Sequence, residues 1–174
     1  MRYGLILALI LLAVVGRLIP HPDNFTPIMA VALFAGATLP SRIAYVVPLL
    51  ALVASDLLLG YPLDLMALVI CGCLLASVGI GQWLAKRRTW TRTALAAVAG
   101  SLVFYLVTNA VWVEPHGLYA HTVDGLLQCY VMAIPFFRNS LAGDLFWTAL
   151  LFGLYEVGYG WLKSLRVKPT HVAP

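Results

Sequence analysis

The sequence predicts an all-α membrane protein, a bundle of six transmembrane helices with both termini in the cytoplasm. Three observations carry that expectation. Of 174 residues 62% are apolar and only 10% charged, whereas a soluble domain of this size usually carries about 25% charged residues. Mean hydropathy is +0.93, and the apolar residues run in long blocks, not in the short alternating runs of a β-barrel. The 11 Lys and Arg and 7 Asp and Glu are too few to clothe a water-facing surface. A soluble enzyme, a disordered tail, a nucleic-acid binder and an outer-membrane barrel are all excluded.

A span needs about 20 mostly apolar residues to cross about 30 Å of hydrocarbon. Six stretches within a single domain, 1–174, qualify: about 3–19, 25–39, 41–60, 64–85, 93–113 and 141–162. The breaks between them carry turn chemistry, as in Pro20-His21-Pro22-Asp23-Asn24, Leu39-Pro40-Ser41, Gly60-Tyr61-Pro62 and Lys86-Arg87-Arg88. The second stretch is short and holds Pro27 and Gly36, so it is expected to be tilted, broken or only partly inserted. A further apolar stretch, about 124–137, contains Asp124, Gln128 and Pro135. It reads as a short helix lying in or dipping into the outer interface, with a full span as the alternative. Arg2 before an apolar run also resembles a signal peptide, but no convincing small-x-small cleavage site precedes Arg17.

Orientation follows from the cations. With a cytoplasmic N-terminus, Arg2, Arg42, Lys86, Arg87, Arg88, Arg92, Lys163, Arg166 and Lys168 fall inside, nine of the eleven basic residues. Only Arg17 and Arg138 remain outside. The net charge of +4 is thus explained by the lipid bilayer's inner leaflet, not by nucleic acid. Tyr3, Trp83, Trp90, Trp112 and Trp161 fit interfacial belts. Small residues recur at four-residue spacing, as in Gly4/Ala8 and Ala32/Gly36, and permit close helix contact.

Polar residues gather on one side. The outer connections, Arg17 to Asn24, Gly60 to Asp64 and Glu114 to Asp144, are rich in them, whereas the inner ones are short and merely basic. Asp56, Thr108 and Asn109 fall in the outer halves of their spans, and Asp144 opens the sixth. An intramembrane carboxylate usually faces the protein interior or a wet cavity. Two readings follow: these groups line a ligand pocket opening outward, or Asp56 and Asp144 cap helices or pair with Arg17 and Arg138 at the interface. Glu156, deep in the inner half, reads as a hydrogen bond to a neighbouring helix or a snorkel towards Lys163, with a proton-coupling role as the alternative.

Three cysteines in apolar context, Cys71, Cys73 and Cys129, do not form a disulfide framework. Cys71 and Cys73 fall roughly 10 and 14 Å deep at 1.5 Å per residue, and at most one can face a given cavity. They are either small core residues or, for one of them, a soft ligand to a metal-containing guest such as a corrinoid. His21 can supply an imidazole from the first outer loop. His116 and His121 are weaker candidates, and His171 lies in the tail. Tyr119 and Tyr130 can stack on a planar ligand or sit in the belt. No Walker motif, nucleophile elbow, H-E-x-x-H or phosphate loop appears. No intrinsic cofactor or enzymatic constellation is expected, and active pumping needs a partner chain.

Two motifs carry a resemblance. The run from Arg17 to Ile28 (RLIPHPDNFTPI), with Ala32-Leu-Phe-Ala-Gly36 after it, is one. The other is Cys129-Tyr-Val-Met-Ala-Ile-Pro-Phe-Phe-Arg-Asn139 followed by Gly143-Asp144-Leu145. Together they resemble a family of small bacterial inner-membrane proteins that is similar to the S-components of energy-coupling-factor (ECF) vitamin transporters. The resemblance spans about 15 to 155 and implies a six-helix bundle that binds a vitamin from outside. It places His21, Asp23 and Asn24 at the pocket mouth, with Asn139 and Asp144 closing it. S-components that dock on an energising module resemble one another in an alanine-x-x-x-alanine pattern on the first span. Here Ala8 and Ala13 are five apart and Gly4/Ala8 alone has the spacing, which leaves open whether the chain docks or acts alone. Solitary relatives that carry cobalamin use a membrane-buried Cys as cobalt ligand. That implies cobalamin (vitamin B12) as substrate, Cys73 or else Cys71 on cobalt, and His21 and Asp23 contacting the ligand from the first loop. Asp56, Asn109 and Asp144 would bond its amide rim, with Tyr130 as a stacking wall. Another vitamin or precursor, a non-transporting membrane scaffold, and a small membrane enzyme acting on lipid or on the bound cofactor are the competing expectations.

Overall fold

The structure, a computed structural model, describes residues 2–111 and 118–166. Seven helices run through them, with no strand among the described residues: α1 (Arg2–Leu18), α2 (Ile28–Thr38), α3 (Ser41–Leu59), α4 (Leu65–Ala85), α5 (Trp90–Ala110), α6 (Val123–Met132) and α7 (Ile134–Arg166). Trp112, Glu114, His116, Lys168 and His171 lie outside the described residues.

Local chemistry sets the boundaries. Asp64, Thr89 and Thr122 each turn a side-chain oxygen onto the backbone N–H three residues on, capping α4, α5 and α6. Gly60, at φ 73°, ends α3 in the left-handed conformation that favours glycine. The expected helix over 124–137 instead stops at Met132, and after a turn at Ala133 the chain re-enters helix at Ile134. Pro135 explains this: its missing N–H and fixed φ suit the first turn of a helix and would disrupt the middle of one. At 33 residues α7 is about 50 Å long at 1.5 Å per residue.

Helix α2 holds the fold together. Its eleven residues reach only about 16 Å, too short to cross a bilayer alone. Every residue from Ile28 to Gly36 is buried, because α1, α3, α4, α5 and α7 all pack against it. A helix apolar all round is a core helix. The closest approach is to α4, where backbones touch. A Cβ on Gly36 would stand 2.2 Å from the Val78 carbonyl oxygen, and one on Gly81 would stand 2.1 Å from that of Leu33. Of the small-residue pairs in the sequence, Ala32/Gly36 therefore makes a close contact, while Gly4 meets nothing within 4 Å.

The segment 19–27 enters the bundle unwound. Pro27 is buried against Gly16, Phe25 rests on Gly143 and on the ring of Phe146, and Asn24 takes φ 61°. Outward faces carry exposed Leu7, Leu57, Leu68, Leu95 and Leu154. Helices α3, α4 and α5 are each long and apolar enough to cross a membrane, which fits a membrane protein whose lipid-facing surface is apolar.

Candidate functional site

At the end of the bundle where α1 and α3 finish and α4 begins, two hollows adjoin. The larger, about 590 Å³, lies between the unwound segment and helices α1, α3 and α4, and Arg17, His21, Asp23, Asn24, Asp56 and Asp64 line it. The smaller, about 260 Å³, reaches Thr108 and Asn109 of α5 and Phe137 and Ser140 of α7. Asn24, Met66, Ile70, Phe104 and Phe136 line both, so the two share a wall.

The rim is charged and the floor is apolar. Arg17, in the last turn of α1, crosses to α3, where one guanidinium nitrogen stands 2.7 Å from Asp56 Oδ1. Its other nitrogen donates to Ser55 Oγ and to the Leu52 carbonyl. Asp56 is only 4% exposed. Its Oδ1 has the guanidinium as ion-pair partner but receives no well-aligned hydrogen bond. Asp64 also lines the hollow while accepting from the Ala67 N–H at 3.0 Å. His21 Nδ1 donates to Pro22 O at 2.8 Å, which fixes its ring at the mouth.

Of the residues singled out in the sequence, His21, Asp23, Asn24, Asp56 and Asn109 line the hollows. Five more lie outside that lining. Tyr130 on α6 donates to Leu106 O at 2.7 Å, and its ring meets Tyr105 at 5.5 Å, so it pins α6 to α5. Asn139 is half-buried on α7, one residue before Ser140. Asp144 is buried one turn further along α7 and is bonded to Ser101. Cys71 is half-buried, and Cys73 is 1% exposed in the core. Helical spacing puts Cys73 one turn beyond Ile70 and Cys71 one turn beyond Ala67, both residues of the larger hollow's lining.

Cys129 bonds to Asn109 Oδ1 at 3.5 Å. Burial pushes both its thiol and the Tyr130 phenol up, which keeps them protonated as donors on the interfacial α6. At the opposite end Glu156 pairs with Arg88 from the α4–α5 connection. The Arg88 guanidinium also stands over the rings of Phe152 at 5.5 Å and Tyr155 at 5.3 Å. No group of three or more His, Cys, Asp or Glu capable of holding a metal ion occurs among the described residues.

The Arg17–Asp56 pair is the one the sequence offered as an alternative to a pocket, but sequence reasoning did not place Arg17 in the hollow's wall, nor Tyr105, Phe136 and Phe137. The spacing of Tyr105 and Asn109, one turn apart on one face, was the available signal. An apolar floor beneath a charged rim can hold a guest with an apolar body and polar groups at its edge. No curated protein and no solved structure matches the chain. The chain belongs to a family of unknown function, DUF6580, whose profile matches residues 1–165.

Proposed function

We propose that this chain is a multi-pass protein of the bacterial inner membrane that takes a vitamin-like small molecule into the hollow from the outer face and helps it across. One observation carries the reading: a polar-rimmed, apolar-floored hollow lies at the end of the bundle opposite the basic clusters. Cytoplasmic loops collect Lys and Arg, so Arg42, Lys86, Arg87 and Arg92 put the hollow outside. Exposed Tyr3, Trp83, Trp90 and Trp161 all stand at the basic end, as an interfacial belt would. The unwound segment 19–27 and α2 together make the second of six crossings. Non-helical backbone at membrane depth is tolerated where it is buried in protein or lines a cavity.

Cobalamin is the substrate proposed first, with Cys73, beneath the floor, as the thiol that meets cobalt, and His21, Asp23 and Asn24 at the mouth. A corrinoid is larger than the drug-sized ligands that cavities of about 300–1,000 Å³ accommodate, so the loops 19–27 and 60–64 part to admit it. The hollow volumes, and the absence of either α4 cysteine from the lining, favour a smaller vitamin or precursor as the second reading.

Mass spectrometry and absorption spectroscopy of the purified protein separate the two. A cobalamin carrier co-purifies with a coloured corrinoid whose spectrum changes in Cys73→Ser and not in Cys71→Ser. A colourless protein bearing a smaller organic molecule selects the second reading. A protein that retains no small molecule and gains none from added cyanocobalamin contradicts both.

A further inference from the structure

Among the described residues, Asp144 is the one buried carboxylate without a cation in an ion pair. It is 4% exposed in the middle of the bundle, whereas Asp56 has Arg17 and Glu156 has Arg88. The elements around it supply no charge. Helix α2 carries no titratable residue. On α5, Arg92 stands over Trp83 and Tyr105 donates to Tyr130 O. Helix α6 brings only Asp124, Cys129 and Tyr130, and the last two bond to α5. The segment before α2 presents Phe25 to the neighbouring Gly143, with Asp23 and His21 lining the larger hollow. Arg138 and Glu156 on α7 itself are about 9 and 18 Å away along the axis.

What faces Asp144 is hydroxyl. Ser101 Oγ lies 2.5 Å from Asp144 Oδ2 and 3.2 Å from the Ala97 carbonyl. Ser101 has one hydroxyl proton to give. With Asp144 protonated, the carboxyl donates to Ser101 and Ser101 donates to Ala97. With Asp144 ionised, Ser101 turns its proton to the carboxylate. Both protonation states are thus accommodated without moving a helix. On the same stripe of α7, Ser140 lines the smaller hollow one turn above, and Thr148 one turn below is 2% exposed with its hydroxyl unpartnered. A buried acid in a membrane bundle, bonded to one hydroxyl and one helical turn from a second that lines the hollow, is the kind of intramembrane group that serves proton relays.

We propose that Asp144 is a proton-binding site beneath the hollow, loaded from water in the hollow past Ser140 and held by Ser101. The hydronium proton passes to a carboxylate oxygen, a water is left behind, and the carboxylate becomes a neutral carboxyl. The inference rests on the chain spanning the membrane with its hollow facing outward, but not on which guest it carries.

The test is labelling of the full-length protein in lipid nanodiscs with dicyclohexylcarbodiimide, which adds to protonated carboxyls in apolar surroundings. Peptide mass spectrometry is expected to find Asp144 labelled at least about tenfold more than Asp56 or Glu156. Labelling falls as pH rises, and Ser101→Ala moves that pH profile without abolishing the label. Absence of the label between about pH 5 and pH 9, in protein that still melts cooperatively, overturns the proposal. Protection by sodium chloride but not by choline chloride also overturns it, in favour of a sodium site. No added vitamin enters the measurement, so a failed substrate assignment leaves it intact.

Discussion

Asp56 and Asp144 are equally hidden, each 4% exposed, yet the bundle treats them in opposite ways. On the α1–α3 side, Asp56 meets a guanidinium at 2.7 Å that is itself held by Ser55 and Leu52. On the α5–α7 side, Asp144 meets a single serine hydroxyl. A fixed cation commits a carboxylate to its charge, since removing either partner strands the other. A hydroxyl commits it to neither state. The first acid is therefore tied into a structural pair at the hollow's rim, whereas the second has only a hydroxyl partner, as the proposed proton site requires.

Substitutions sharpen this contrast in order of size. Arg17→Ala leaves Asp56 buried and unpaired, and unfolding in detergent is expected to show a loss of about 3–5 kcal/mol. The double variant Arg17→Ala, Asp56→Leu recovers most of it, and a loss under about 1 kcal/mol in the single variant would place Asp56 in the same class as Asp144. Asp144→Asn keeps an acceptor for Ser101 and brings no charge, so it costs less than about 1 kcal/mol by the same melt. A cost as large as that of Arg17→Ala would mean that Asp144 has a cation after all. Glu156→Gln has the smallest effect. That acid is half exposed and its pair with Arg88 is screened by solvent, so the melt shifts by about 0–1 kcal/mol and the difference shrinks with salt.

Much of the architecture was legible because it follows from composition and turn chemistry. Gly60 and Asp64 bound a turn that a reader can find in a string of letters. The polar side of the bundle was legible too, since Pro20 to Asn24 and Gly60 to Asp64 stand out between apolar runs. Three features were not. The burial of α2 on every side depends on how five neighbours close around it, and its all-apolar pattern fits a span as well as a core helix. The role of Arg17 as a wall depends on α1 lying against α3, a distant pairing that no local spacing encodes. The direction of Asp144 depends on α7 starting at Ile134, which places that acid a turn below the hollow instead of at its mouth.

The most direct test of the account asks which side of the membrane the hollow faces. In a chain carrying Cys71→Ala, Cys73→Ala and Cys129→Ala, the further change Ala67→Cys places a single thiol in the larger hollow, whose wall Ala67 forms. A membrane-impermeant maleimide is expected to label it in intact cells, while Trp83→Cys at the basic end in the same background labels only after the cells are permeabilised. Labelling of the Ala67→Cys chain only after permeabilisation would contradict an outward-facing binding hollow.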